Sequence, residues 1–228
     1  MSIQENILYF DEQLRPTPCR LVAVTKTHPV EVIKEAYDAG HRLFGENKVQ
    51  ELVDKYALLP HDIAWHLIGH LQTNKVKYIA EFIDTIQSVD SLKLLVEINK
   101  RAEMYGRTLP INCMLQINIA DEVTKYGMTC EEAEALLQTE EYRQMQYIRI
   151  TGVMGIATNT DEEQKLRQEF QQLRHCFNRL KETFFMGNDD FKEISMGMTS
   201  DWRIALEEGS TMIRVGSGIF GARDYSRK

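Results

Sequence analysis

A chain of 228 residues with 43% hydrophobic side chains and no extended biased tract can bury one full core, or two small ones. Its formal net charge of −7 argues against wide nonspecific binding to nucleic acid, which needs clustered Lys and Arg to displace counterions from phosphates. Small anionic ligands are compatible with it, because they need only a local site.

In chain order, the segment Met1 to Asn6 is polar and acidic, which argues against a signal peptide or a membrane anchor. Short β-branched runs then alternate with helical patterns. Strands are expected over residues 21–25, 41–45, 64–68, 83–88, 111–118, 148–156, 193–197 and 211–215. Between them, Pro29 opens a first helix, where its missing N–H costs nothing, and Ser91 is placed to cap the run Leu92 to Tyr105. The strongest helical pattern covers residues 162–185, where Leu166, Phe170, Leu173, Phe177, Leu180 and Phe184 recur at spacings of four and three. Gly187 to Asp190 has the composition of a surface turn.

Eight strands alternating with helices predict an α/β fold, a parallel (β/α)8 TIM barrel. An open, doubly wound sheet is the rival, weakened by the lack of a G-x-G-x-x-G after the first strand. No linker or internal repeat divides the chain, so residues 1–228 are expected to form a single domain. Cys19, Cys113, Cys130 and Cys176 lie far apart with no C-x-x-C spacing, so neither disulfides nor a zinc site are expected, and a reducing cytoplasm is the expected compartment. His66 and His70 share a four-residue spacing, which aligns side chains only on a helix, and this segment reads as strand then turn. No metal site is expected there.

Lys26 closes the apolar run Leu21 to Thr25. An amine at a strand mouth, beside a scaffold that disfavours its charge, is a candidate nucleophile toward an aldehyde; the plain alternative is a solvated or paired surface lysine. In a TIM barrel the site lies at the C-terminal ends of the strands, and the loops after strands 7 and 8 often hold phosphate. Here those loops are the glycine-bearing stretches 195–201 and 214–221, with hydroxyls at Thr199 and Ser217. Taken singly, each reads first as a helix cap and a chain turn. Barrel closure would bring both beside Lys26, a combination suited to pyridoxal 5′-phosphate (PLP), which offers an aldehyde and a phosphate.

The stretches LVAVTKTHP (21–29), LFGENKVQEL (43–52), WHLIGHLQTNK (65–75), GVMGIAT (152–158), SMGMTSDW (195–202) and GSTMIRVGSGIFGARDY (209–225) closely resemble the pyridoxal phosphate homeostasis protein family (YggS/PROSC), whose barrel is like the N-terminal domain of alanine racemase. The resemblance implies that Lys26 holds PLP as a Schiff base, that Thr199, Gly216 and Ser217 contact its phosphate, and that Arg214 faces the pyridine nitrogen. It places Asn47, His66, Met154, Ser195 and Met198 near the ring, although for His66 a hydrogen-bonded strand histidine is an equal alternative. An arginine at the ring nitrogen gives up no proton, so the cofactor would be a weaker electron sink than one facing a carboxylate.

The chain departs from the family pattern at His70, where Pro is usual, at Thr199, where Ser is usual, and at Ser217-Gly218, where Thr-Ala is usual. The hydroxyls persist, while His70 alters the rim. The segment before the first strand is short, so a truncated leading helix is expected. Lys125 matches a family lysine near the entrance and reads equally as an exposed loop residue. The chain ends soon after its last matched motif, and no racemase-type second domain supplying a tyrosine is expected, although Tyr225 could approach a partner. The expected function is intracellular PLP homeostasis without a catalytic residue or rapid turnover, with low or partner-dependent amino-acid racemase activity as the alternative. PLP and amino acids are the expected small-molecule partners and PLP-dependent enzymes the candidate recipients; no membrane or nucleic-acid partner is expected, and the state is a monomer or weak dimer.

Overall fold

The structure is a computed structural model and describes residues 2–120 and 126–221. Lys125 and Tyr225 therefore lie outside the described residues. The strands are β1 (Arg20–Val24), β2 (Leu43–Glu46), β3 (Ala64–Leu67), β4 (Thr85–Val89), β5 (Ile111–Gln116), β6 (Ile148–Met154), β7 (Glu193–Ser195) and β8 (Met212–Val215). All neighbours are parallel, and the order β1 to β8 closes on itself. The closing pair sets Arg20 opposite Met212 and Ala23 opposite Val215. The expected TIM barrel is thus the observed fold. Strand ends differ from expectation by a residue or two, because the apolar runs continue into buried loops such as Ile117 and Met196.

The helices are α1 (Ile3–Leu14), α2 (Val30–Asp38), α3 (Val49–Leu58), α4 (Leu92–Met104), α5 (Cys130–Gln138), α6 (Glu140–Arg143), α7 (Glu163–Phe184), α8 (Trp202–Glu207) and α9 (Ser217–Phe220), with a 3-10 turn over Thr73–Tyr78. Pro29 lies one position before α2, at its cap, with an extended backbone (ψ 164°). The Ser91 hydroxyl caps α4 by accepting the Leu94 N–H. The leading helix α1 is 12 residues long and starts from a reciprocal Ser2–Glu5 capping box. Its Asn6 side chain donates to the Ile219 carbonyl at 2.8 Å, so α1 is tied to the short helix that follows β8.

The stripe on α7 buries Leu166, Phe170, Leu173 and Leu180 against the barrel, whereas Phe177 and Phe184 are only half-buried at its edge. Glu169, a charged residue on the same buried face, accepts from both the N–H and the hydroxyl of Thr158 at 2.6 Å. This bond fixes the loop after β6.

The expectation of no disulfide is overturned. Cys130 and Cys176 are bridged, with Cα atoms 5.7 Å apart, joining the first residue of α5 to the middle of α7. Their 46-residue separation gives no local spacing to read; only the packing of α5 on α7 brings them together. Cys19 and Cys113 are buried free thiols. Burial pushes the Cys19 thiol up to about 11 and that of Cys113 higher still, so neither ionises near neutrality.

No helix among the described residues is long and apolar enough to cross a membrane.

Candidate functional site

At the C-terminal ends of the strands lies a cavity of about 400 Å3, lined by residues that include Lys26, Asn47, Thr199, Arg214, Gly216 and Ser217. Met198 contributes to the same wall. Closure of the barrel produces this convergence, because Lys26 follows β1 and the 216–217 turn follows β8, its direct neighbour. The Thr199 hydroxyl also accepts the Gly218 N–H at 3.4 Å, which links the loop after β7 to the loop after β8. That linked pair of loops lines the cavity with Thr199, Ser200, Gly216 and Ser217.

The loop after β7 needs a glycine. Gly197 has φ +93°, and a Cβ there would come within 2.6 Å of the Ala205 Cβ. Asp201 then folds back to accept the Met198 N–H at 2.5 Å. Burial pushes the Asp201 carboxyl up, opposed by that N–H and by Arg214.

Arg214 is buried at the floor of the cavity, where its two terminal nitrogens donate to the Ser195 hydroxyl at 2.7 Å and the Gly155 carbonyl at 2.9 Å. Burial lowers its pKa to about 10, with Asp201 opposing, so it is cationic at neutral pH. Ser195 in turn donates to Gln87 Oε1 at 2.7 Å, and Gln87 Nε2 donates to His66 Nδ1 at 2.8 Å. His66 Nε2 faces Asp84 Oδ2 at 3.3 Å. A polar chain therefore crosses the barrel interior from the cavity floor to the opposite mouth.

That chain places Ser195 and His66 behind the cavity wall, His66 as the hydrogen-bonded strand histidine of the alternative reading. Ser195 does not line the cavity but stands behind Arg214, and His66 lies deeper still, beside a separate polar pocket with Asp84 and Arg20 at the N-terminal ends of the strands. Met154 is fully buried in the barrel and is likewise absent from the cavity wall. The strand alternation that points these three inward does not say at what depth they sit.

The sequence reading missed Ile68, Ile156, Asn159 and Ser200 on the wall, and Gln87 beneath it. Ile68 and Ser200 sit within motifs already singled out, Ser200 directly after Thr199 and Ile68 directly after β3, so position at a strand end or beside Thr199 is a usable signal. Gln87, in the middle of β4, carries no local signal. His70 lines a neighbouring pocket that shares Asn47 with the cavity, stacks on Tyr126 with ring centroids 3.9 Å apart and faces Asp90 at 3.3 Å.

Two features suit the cavity to an aromatic phosphate. The buried Oδ1 of Asn47 has no hydrogen-bond partner, an acceptor left for a ligand donor or water. At Gly216 a Cβ would approach the Val24 carbonyl to 3.3 Å, so this turn favours glycine and meets the cavity without a side chain.

Residues 1–224 match the family described as alanine racemase, N-terminal domain. The chain is 40% identical to the pyridoxal phosphate homeostasis protein of Pasteurella multocida over 99% of this chain and 97% of that protein. Among solved structures it resembles PipY of Synechococcus elongatus with PLP bound, at TM-score 0.85 and 37% identity, covering 96% of this chain and 100% of that one. The alanine racemase of Streptomyces coelicolor A3(2) shares the fold at TM-score 0.80 with 15% identity, over 96% of this chain and 58% of that one.

Proposed function

Because the chain belongs to the alanine racemase N-terminal domain family, and within it to the pyridoxal phosphate homeostasis proteins, we propose that it binds PLP in the cavity and buffers the cytoplasmic supply of that cofactor. The observation that carries this reading is the convergence of Lys26, Arg214 and the linked 199 and 216–217 loops on one cavity.

Bound there, PLP would supply an aldehyde for an amine to hold and a phosphate for the loops to grip. In this reading Lys26 provides the amine. Thr199, Ser217 and the Gly216 turn hold the phosphate, and Arg214 presents an N–H to the ring nitrogen without surrendering it. Asn47 and Met198 flank the ring, while Ser195, His66 and Met154 act from beneath by fixing Arg214 and filling the barrel. The whole chain acts as one PLP-binding unit, a monomer or weak dimer, that exchanges its cofactor with PLP-dependent enzymes and amino-acid pools.

The carrier reading is favoured over a racemase by Arg214. A cation locked by Ser195 and Gly155 keeps the ring nitrogen unprotonated, which weakens stabilisation of negative charge at a substrate α-carbon. Titration with PLP should raise a visible absorption band in the wild type and none in Lys26→Ala. Incubation of the loaded protein with alanine or serine in deuterated water should exchange the α-hydrogen no faster than free PLP does. Exchange far above that rate would establish a racemase instead.

A further inference from the structure

Lys26 sits in a strained turn. The Thr25 carbonyl accepts the His28 N–H at 3.0 Å, closing four residues in which Lys26 is second and Thr27 third. Thr27 has φ +69°, the single positive value for a non-glycine among the described residues. The third position of a turn with positive φ ordinarily holds Gly or Asn, and a β-branched side chain there is disfavoured. Something outside the turn must hold it.

The holders are charged and come from β2 and α3. Glu51 Oε2 accepts the Thr27 N–H at 2.9 Å. Lys55, one turn further along α3 and almost wholly buried, donates to the Thr25 carbonyl at 2.9 Å, reaches Glu51 at 3.3 Å and pairs closely with Glu46. The fully buried Glu46 carboxylate accepts from the Thr25 hydroxyl at 2.7 Å and from the Asn47 N–H at 3.0 Å. Burial pushes the Glu51 carboxyl up, but the Thr27 N–H and the Lys55 ammonium bring it below its ordinary range, so it is ionised and able to hold both. None of these three side chains lines the cavity. A buried charged pair is weak as a source of stability, so its geometry calls for another explanation.

We propose that Glu46, Lys55 and Glu51 form a clamp that positions the backbone of Lys26 and Asn47, presetting the amine for PLP. The inference rests on the PLP reading above and deepens it. The clamp grips the turn on both sides of Lys26 and the backbone of Asn47 at the end of the neighbouring strand. Pre-organisation of this kind lowers the ordering cost of binding without any contact to the ligand.

The test uses the full chain. Glu51→Ala removes the Thr27 acceptor from a partly exposed side chain, and Glu51→Gln keeps an oxygen there. The double variant Glu46→Met/Lys55→Met removes the buried charges together and leaves neither charge unpaired, with urea unfolding as the check that it folds. With PLP as the probe, Kd should rise about tenfold in Glu51→Ala and in the double variant, and return to within about twofold of wild type in Glu51→Gln. In the PLP-free protein, amide exchange should accelerate by about the same factor in the peptide spanning residues 25–28, and not elsewhere in the barrel, with the same rescue. Unchanged Kd and unchanged local exchange in both Glu51→Ala and the double variant would overturn the clamp. Wild-type protein that fails to bind PLP would overturn the cofactor reading, while the exchange measurement would still decide for or against the clamp.

Discussion

Arg214 owes its orientation to atoms that never reach the cavity. Ser195 bridges it to Gln87, and removing that hydroxyl leaves a buried guanidinium N–H and a buried amide oxygen without their partner. Ser195→Ala should therefore destabilise the fold by about 1.5–3 kcal/mol in urea unfolding. At the far end of the same chain Asp84 shows the sign of its environment. Burial pushes its carboxyl up, but hydrogen bonds from His66, Thr85 and Asn112 bring it from the ordinary 3.8 down to about 2. A depressed carboxyl stabilises the fold above its ordinary pKa and loses that contribution as pH falls through the folded value. Unfolding midpoints should thus fall as pH drops from about 4 to about 2 in the wild type, and fall less steeply in Asp84→Asn.

At this scale the cavity-lining residues Lys26, Thr199, Gly216 and Ser217 were readable because each ends a strand or opens a loop, where side chains point to the barrel mouth. His66, Met154 and Ser195 lie on the strands themselves, so inward alternation was legible and depth was not. Asp201 and Glu169 have no periodic signature. Their roles come from folding back onto the Met198 and Thr158 amides, contacts that exist only after packing.

Among the elements, α7 was the most legible, since its apolar repeat is long enough to fix both type and face. Leu173 is wholly buried beneath it, and Leu173→Ala should cost about 2–5 kcal/mol by the same unfolding measurement. The bridge from α7 to α5 was invisible for a different reason. Residues 130 and 176 meet through packing of two helices across the barrel surface, and nothing near either cysteine encodes the other. Cross-linking this span limits the unfolded chain, so adding a reductant should lower stability by about 2–4 kcal/mol. Cys176→Ala should remove that sensitivity, and thiol counting under denaturing conditions should find Cys19 and Cys113 reactive before reduction and all four cysteines after it.

For the whole molecule, closure is what creates the site. An open sheet would leave β1 and β8 at opposite edges, separating Lys26 from Gly216 and Ser217, whereas the register Ala23 to Val215 sets their following loops side by side. The strand–helix alternation carried that topology in the sequence, since each parallel connection must cross back over the sheet. The barrel is shared with alanine racemases at low identity, so fold alone does not select between carrier and catalyst. The selection rests on Arg214 and on what Lys26 does. The most direct measurement is borohydride reduction of the PLP-loaded protein followed by peptide mapping. The account predicts one added pyridoxyl-phosphate mass, located on the peptide containing Lys26 and absent from Lys26→Ala; a full-yield adduct on another lysine, or none in the wild type, would contradict it.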